Sequence, residues 1–291
     1  MNLDNKYKQK LEAAREKITK KKRQCLFPKC KEEAINSHVL QRQGILNAII
    51  DETNHFYVIE YHSIKTFSFF PSEHLIKKFG IKKGYSFPGF CKTHDREIFK
   101  PIETHPIDLN NKRNLGLFSY RTICLELWKK QVYLEFVTEA FSIAKDLEPD
   151  KLCYFDDSKA KRAICDFEFY KKEFERELFS KKDSIFEFYA IELPEKKICF
   201  SSPLNIHDSE NPMTWETDKY GYENKQPLAT SVINFFPYQG RSYFIAAMHS
   251  KYKCRWTLNL LNKLKVKDNN VVDKIISDIL TFRLEFWGMA P

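Results

Sequence analysis

The chain has no apolar run of about 18 residues or more, so its sequence offers no helix fit to cross a membrane. Its first residues are polar and lysine-rich and lack an apolar leader segment, so the expectation is a cytoplasmic protein without a secretory signal. There is no phosphate-binding glycine loop, dinucleotide fingerprint, nucleophile elbow or kinase signature, which argues against the common nucleotide-dependent and serine-hydrolase classes. Internal repeats and low-complexity tracts are also missing, which argues against a solenoid or a disordered chain. What is present is the composition of a folded protein: 43% hydrophobic and 15% aromatic residues, with 25 Phe and 14 Tyr to build sheet and core. At 291 residues the chain is long enough for two domains.

Eight cysteines without a leader read as thiols or metal ligands rather than disulfides. Cys124, Cys153, Cys165, Cys199 and Cys254 lie in apolar or aromatic settings and are expected as small core residues. The net charge is +9, and residues 1–24 supply a surplus of six, from nine Lys or Arg against three acids. Such a leader attracts polyanions by counterion release, so Lys20, Lys21, Lys22 and Arg23 are candidate nucleic-acid contacts. The competing reading is a solvated helix face. Leu3, Tyr7, Leu11, Ala14 and Ile18 recur at helical spacing, so this basic helix is expected to dock on the rest of the chain.

Beyond it, the pattern predicts a short strand or strand-to-helix passage over 34–40, strands over 55–60 and 63–69, and a helix over 72–79. A helical start at 95–99 is limited by Pro101. Long helical patterns cover 114–145 and 158–181. Segments 184–193 and 197–200 read as paired strands, and 228–238 with 242–249 as a hairpin. Residues 201–227 read as a loop, and two helices near 254–265 and 270–286 close the chain. The fold class expected is α+β: an N-terminal treble-clef zinc module with a helical middle and a C-terminal mixed α/β module with antiparallel hairpins. The segments are 1–105, 106–183 and 184–291.

The chemistry-bearing feature is a split set of metal donors. Cys25 and Cys30 stand five apart, and Cys91 and His94 follow about sixty residues later. Zn²⁺ takes four such ligands in a tetrahedron, two from each of two short turns. With a histidine, His38, in a strand between the pairs, the spacing resembles that of the HNH (ββα-metal) endonucleases over residues 25–103. That resemblance implies a treble clef with structural zinc on Cys25, Cys30, Cys91 and His94. It also implies His38 as general base and Asp95 as ligand of a catalytic Mg²⁺ or Mn²⁺. Glu97, His62 or His74 would have to join Asp95 to hold such an ion firmly. This chain departs from the family's pattern in having Ser37 where an acid is usual, no Asn before Cys91, and a long insertion.

The bland alternatives remain open. Asp95 could simply cap a helix, His38 could replace His94 at the zinc or sit in the core, and Gly89 could be needed for close approach to the metal. Lys77, Lys78, Lys82 and Lys83 form either a phosphate clamp or a solvated loop. Arg121 and Glu126, five apart on a helix, are expected to serve different partners. Asn234, Tyr238, Arg241 and His249 flank a hairpin that could stack bases or simply be half-buried. The functional expectation is a zinc-stabilised nucleic-acid-binding protein, with an HNH-like endonuclease of microbial defence type as its sharpest version. A non-catalytic zinc scaffold for a protein partner or an oligomer is the alternative.

Overall fold

A computed structural model describes residues 5–60, 75–82, 84–147, 157–180, 185–205, 227–284 and 286–291. In chain order these form α1 (Asn5–Thr19), β1 (Ile35–His38), β2 (His55–Glu60), β3 (Leu75–Gly80), β4 (Ser86–Phe90), α2 (Lys92–Glu103), α3 (Lys112–Leu147) and α4 (Ser158–Phe179). Then follow β5 (Phe186–Pro194), β6 (Ile198–Leu204), β7 (Ser231–Tyr238), β8 (Arg241–His249), α5 (Arg255–Leu264), α6 (Asn269–Phe282) and β9 (Phe286–Met289). The described residues thus make a mixed α+β protein with six helices and antiparallel sheets.

The larger sheet has seven strands in the order β3-β2-β9-β6-β7-β8-β5, and its strand β7 is covered on both faces. On β7 the even-numbered Val232, Phe236 and Tyr238 enter the core shared with α3 and α4, while Ile233 and Phe235 enter the core under α5 and α6. Period-two alternation therefore feeds two apolar layers, and all eight residues of β7 are buried. Phe235, Phe236 and Phe244 are fully covered and offer no stacking surface to a base. Asn234 takes the α3 side, where its Oδ1 accepts from Thr122 Oγ1 at 2.8 Å.

The apolar stripe of α1 docks as its spacing predicts. Tyr7, Leu11 and Ile18 pack on Phe136, Val137, Ala140 and Ala144 of α3. Leu3 lies outside the described residues.

Several expectations need correction. The run read as a helix over 72–79 is β3 in its described part. Ile76 and Lys78 face out, Lys77 and Phe79 face in, and the backbone pairs with β2 from His55↔Gly80 to Glu60↔Leu75. β5 does not pair with β6. It pairs with β8 over its whole length, and β6 lies between β7 and β9. The helix read to 286 ends as α6 at Phe282, and the strand β9, absent from the sequence reading, joins β2 to β6. Gly288 permits this junction, because a Cβ there would sit 3.1 Å from the Phe56 ring and 3.2 Å from Cys199 Sγ. Strands from the N-terminal segment thus share a sheet with strands from the C-terminal one. Cys165 is exposed, whereas Cys124, Cys199 and Cys254 are buried as expected. The segment 63–69, Cys153, His62, His74 and Lys83 lie outside the described residues. No helix among the described residues is long and apolar enough to cross a membrane.

Candidate metal centre

The first donor pair sits in a tight turn between α1 and β1. Cys25 N donates to Glu32 O at 2.9 Å, Ala34 N to Arg23 O at 2.8 Å, and Cys30 N to Phe27 O at 3.1 Å. Lys29 takes the left-handed conformation (φ 62°) that brings Cys30 back toward Cys25. The second pair opens α2, with Cys91 at the N-cap and His94 in the first turn. The turn is anchored across the gap by Leu26 N donating to Gly89 O at 2.8 Å. Gly89 makes room for an aromatic ring rather than for a metal, since a Cβ there would fall 2.5 Å from Phe87.

These turns bring four donor atoms, from Cys25, Cys30, Cys91 and His94, within 4.8 Å of one another. His94 Nδ1 is 3.5 Å from Cys25 Sγ and 3.3 Å from Cys91 Sγ, and Cys30 Sγ is 3.9 Å from Cys91 Sγ. The group could hold a metal ion. The Phe27 ring stacks on His94 at 4.1 Å between centroids and fixes the imidazole plane. Burial pushes the Cys25 thiol up to about 11, so a bound cation is what would favour its thiolate. At Cys91 burial acts in the same direction, but the backbone N–H of His94 and the neighbouring cysteine side chains outweigh it and hold the thiol below its ordinary range.

His38 is not part of this cluster. It ends β1 and lines a separate cleft of about 580 Å³ with Asp95, Arg96, Glu97, Lys100, Glu103 and Thr104. A carbonyl only accepts, so the 3.1 Å contact of His38 Nε2 with Ile81 O is a donated bond, and Nδ1 is the unprotonated nitrogen of the neutral ring. Burial lowers the pKa of His38, with Arg42 and Arg121 adding to the effect, so the neutral form is favoured.

Asp95 does not cap a helix with its side chain. Burial raises its pKa, and Arg121 opposes the rise. The Arg121 side chain is 1% exposed. Its Nη1 donates to Glu103 Oε1 at 2.6 Å, its Nη2 lies 3.6 Å from Asp95 Oδ1, and its guanidinium covers the Phe99 ring at 3.9 Å. Glu126 pairs with Lys129 instead, so the two charged residues of α3 do serve different partners.

Sequence reasoning missed Glu103 and, though it singled out Arg121, did not place it beside Asp95. Pro101 was expected to stop α2, yet the helix continues to Glu103. Gln41 Nε2 then donates to Glu103 O at 2.6 Å and holds that end. It also missed a stripe of cations, Lys92, Arg96 and Lys100, spaced four apart along α2 and all exposed. That signal is legible once the helix is known to begin at Lys92 rather than at Asp95.

The second ion implied by the resemblance finds no matching site among the described residues. Among the described residues, the Cys25, Cys30, Cys91 and His94 group is the one set of three or more such side chains placed to hold an ion. Asp95 faces a guanidinium, and Glu97 is exposed beside Arg96 at 3.6 Å. Among the described residues, the side chains beside Asp95 do not fit a catalytic Mg²⁺ or Mn²⁺.

Each basic residue of the 20–23 run faces a carboxylate of this chain. Lys20 pairs with Glu16 at 3.5 Å, Lys21 with Glu135 at 3.1 Å, Lys22 with Glu33 at 2.8 Å, and Arg23 also with Glu135. Lys78 pairs with Asp51 at 2.7 Å. Of the hairpin residues, Tyr238 OH accepts from Ile107 N at 2.8 Å, Arg241 lies 3.7 Å from Glu192, and His249 is buried among Phe169, Phe186 and Tyr252. No family model, curated protein or solved structure matches the chain.

Proposed function

We propose that the chain is a nucleic-acid-binding protein built on a zinc-stabilised treble clef. Tetrahedral Zn²⁺, with bonds of about 2.3 Å to sulfur and 2.0–2.1 Å to nitrogen, sets ligand sulfurs about 3.8 Å apart and sulfur to nitrogen about 3.6 Å. The separations of 3.9, 3.5 and 3.3 Å support that ion. Four protein donors leave no open position, so the zinc is structural. Its role is to tie the turn after α1 and the β1–β4 hairpin to the start of α2.

The observation that carries the nucleic-acid reading is the Lys92, Arg96 and Lys100 stripe. It lies on the helix that supplies two of the zinc donors, and two of its members line the His38 cleft. Three cations at one-turn spacing follow a phosphate backbone. Neutralising all three to Gln should weaken binding of single- and double-stranded probes in fluorescence anisotropy. It should also flatten the salt slope by about 2–3 units. An unchanged slope in a zinc-loaded, folded variant rules the stripe out as the contact. In the sharpest form of this reading, neutral His38 takes a proton through Nδ1 from the nucleophile that attacks a phosphodiester in the cleft. Cleavage surviving in His38→Ala removes that role.

A second reading, a zinc scaffold for a protein partner, is favoured by the internal pairing of residues 20–23. It predicts no salt-dependent affinity for any polynucleotide.

A further inference from the structure

We infer that Arg121 is a resident cation buried behind the His38 cleft, set between the cleft residues Asp95 and Glu103 so that these carboxylates accept a divalent ion only when the guanidinium is removed. This inference rests on the cleft being a functional site, but its test does not require polynucleotide binding or cleavage.

The geometry is that of a closed cation position. Asp95 and Glu103 stand eight residues apart on α2, close to two full turns, so their side chains leave the same face of the helix. Arg121 reaches that face from α3 and is almost wholly buried. One of its terminal nitrogens is bonded to Glu103, and the other lies 3.6 Å from Asp95 Oδ1. That oxygen is buried without a hydrogen-bond partner, as is Arg121 Nε. Arg121 is therefore anchored at the Glu103 end and held more loosely at the Asp95 end, where Ser37 also hydrogen-bonds the carboxylate.

A divalent ion bound by Asp95 would stand about 2.1 Å from its oxygen. That places it within a few ångströms of a fixed positive charge, under little screening by solvent. The guanidinium cannot leave by shedding its proton, and Phe99 beneath it and Glu103 beside it hold it in place. The two acids are thus neutralised from within the chain, and what remains of the cleft presents His38, Arg96, Glu97, Lys100 and Thr104, with Glu97 itself 3.6 Å from Arg96.

The experiment is a titration of Mn²⁺ into the zinc-loaded full chain, with free Mn²⁺ read by electron paramagnetic resonance. The wild type is expected to bind no stoichiometric Mn²⁺. Arg121→Gln is expected to bind one equivalent at least about tenfold more tightly, because the carboxylate pair is left uncompensated. That binding should vanish in Arg121→Gln with Asp95→Asn. If Arg121→Gln fails to fold, Arg121→Lys supplies the test, since its ammonium lacks the fork that spans both acids and should admit Mn²⁺ measurably more than the wild type. Stoichiometric Mn²⁺ on the wild type that is lost in Asp95→Asn overturns the inference. So does a folded Arg121 variant with no gain in Mn²⁺ affinity. Neither outcome touches the stripe on α2, whose failure is read by salt-dependent binding alone.

Discussion

Two sites share α2 and differ in how their charge is handled. At its N-terminus, three cysteines and a histidine converge with no cation among them. Along its side, two carboxylates converge on a guanidinium brought by another helix. A cation in the first arrangement would favour the thiolate of buried Cys25, whereas the second carries its own cation. Neighbouring sites on one helix can thus differ, one open to an ion from outside the chain and one compensated from inside.

The largest expected effect comes from breaking the first site. Removing the proposed zinc with a chelator, or Cys91→Ser, should withdraw stabilisation on the order of 10 kcal/mol from the turn, the β1–β4 strand pair and the start of α2. Hydrogen exchange should show loss of protection there first, while the β7–β8 hairpin stays protected. Uniform loss across both would mean that the ion supports the whole fold.

Breaking the second site should cost less. Arg121→Met leaves Asp95 and Glu103 without their counter-charge, but both are partly exposed and screened by solvent, so the loss by chemical denaturation should be about 1–3 kcal/mol, below that of a fully buried pair. Replacing Glu103 by Gln in the same variant should recover part of that loss, and failure to recover it would separate the two residues energetically.

Acid sharpens the comparison with the C-terminal sheet. Burial depresses the pKa of His249 and of His38 below the ordinary 6.5, so the unfolded chain binds protons before the folded one does. The stability they contribute is fully present above about pH 6.5 and falls as the pH drops toward the folded values. His249→Phe should flatten this slope in thermal melts taken between pH 7 and 5. An unchanged slope would place the sensitivity elsewhere.

The smallest effect should come from residues 20–23. Their partners are exposed or half-exposed carboxylates, so neutralising Lys20 or Lys22 should change stability by no more than about 1 kcal/mol.

The metal donors were legible because each pair is local. A turn of six residues and the first turn of a helix are both written in adjacent positions. The docking stripe of α1 was legible for the same reason, since its period lies within one element. The partner of Asp95 was not. Arg121 lies 26 residues further on and reaches the cleft only because α2 runs on through Pro101 and α3 packs beside it. The pairing of β5 with β8 was equally hidden, because neighbouring alternating runs suggest the nearest hairpin, and alternation alone carries no register.

The sequence by itself determined which residues could ligate a metal, where the long helices run and which hairpin closes on Gly240. Side-chain chemistry and short-range periodicity carry that information. The tertiary structure alone decided that β9 bridges the two ends of the chain and that the basic run meets acids on α1, α3 and the turn before β1. It also decided that a guanidinium stands between Asp95 and Glu103. Those outcomes depend on which distant surfaces bury one another, and packing sets that only when the whole chain has found its partners.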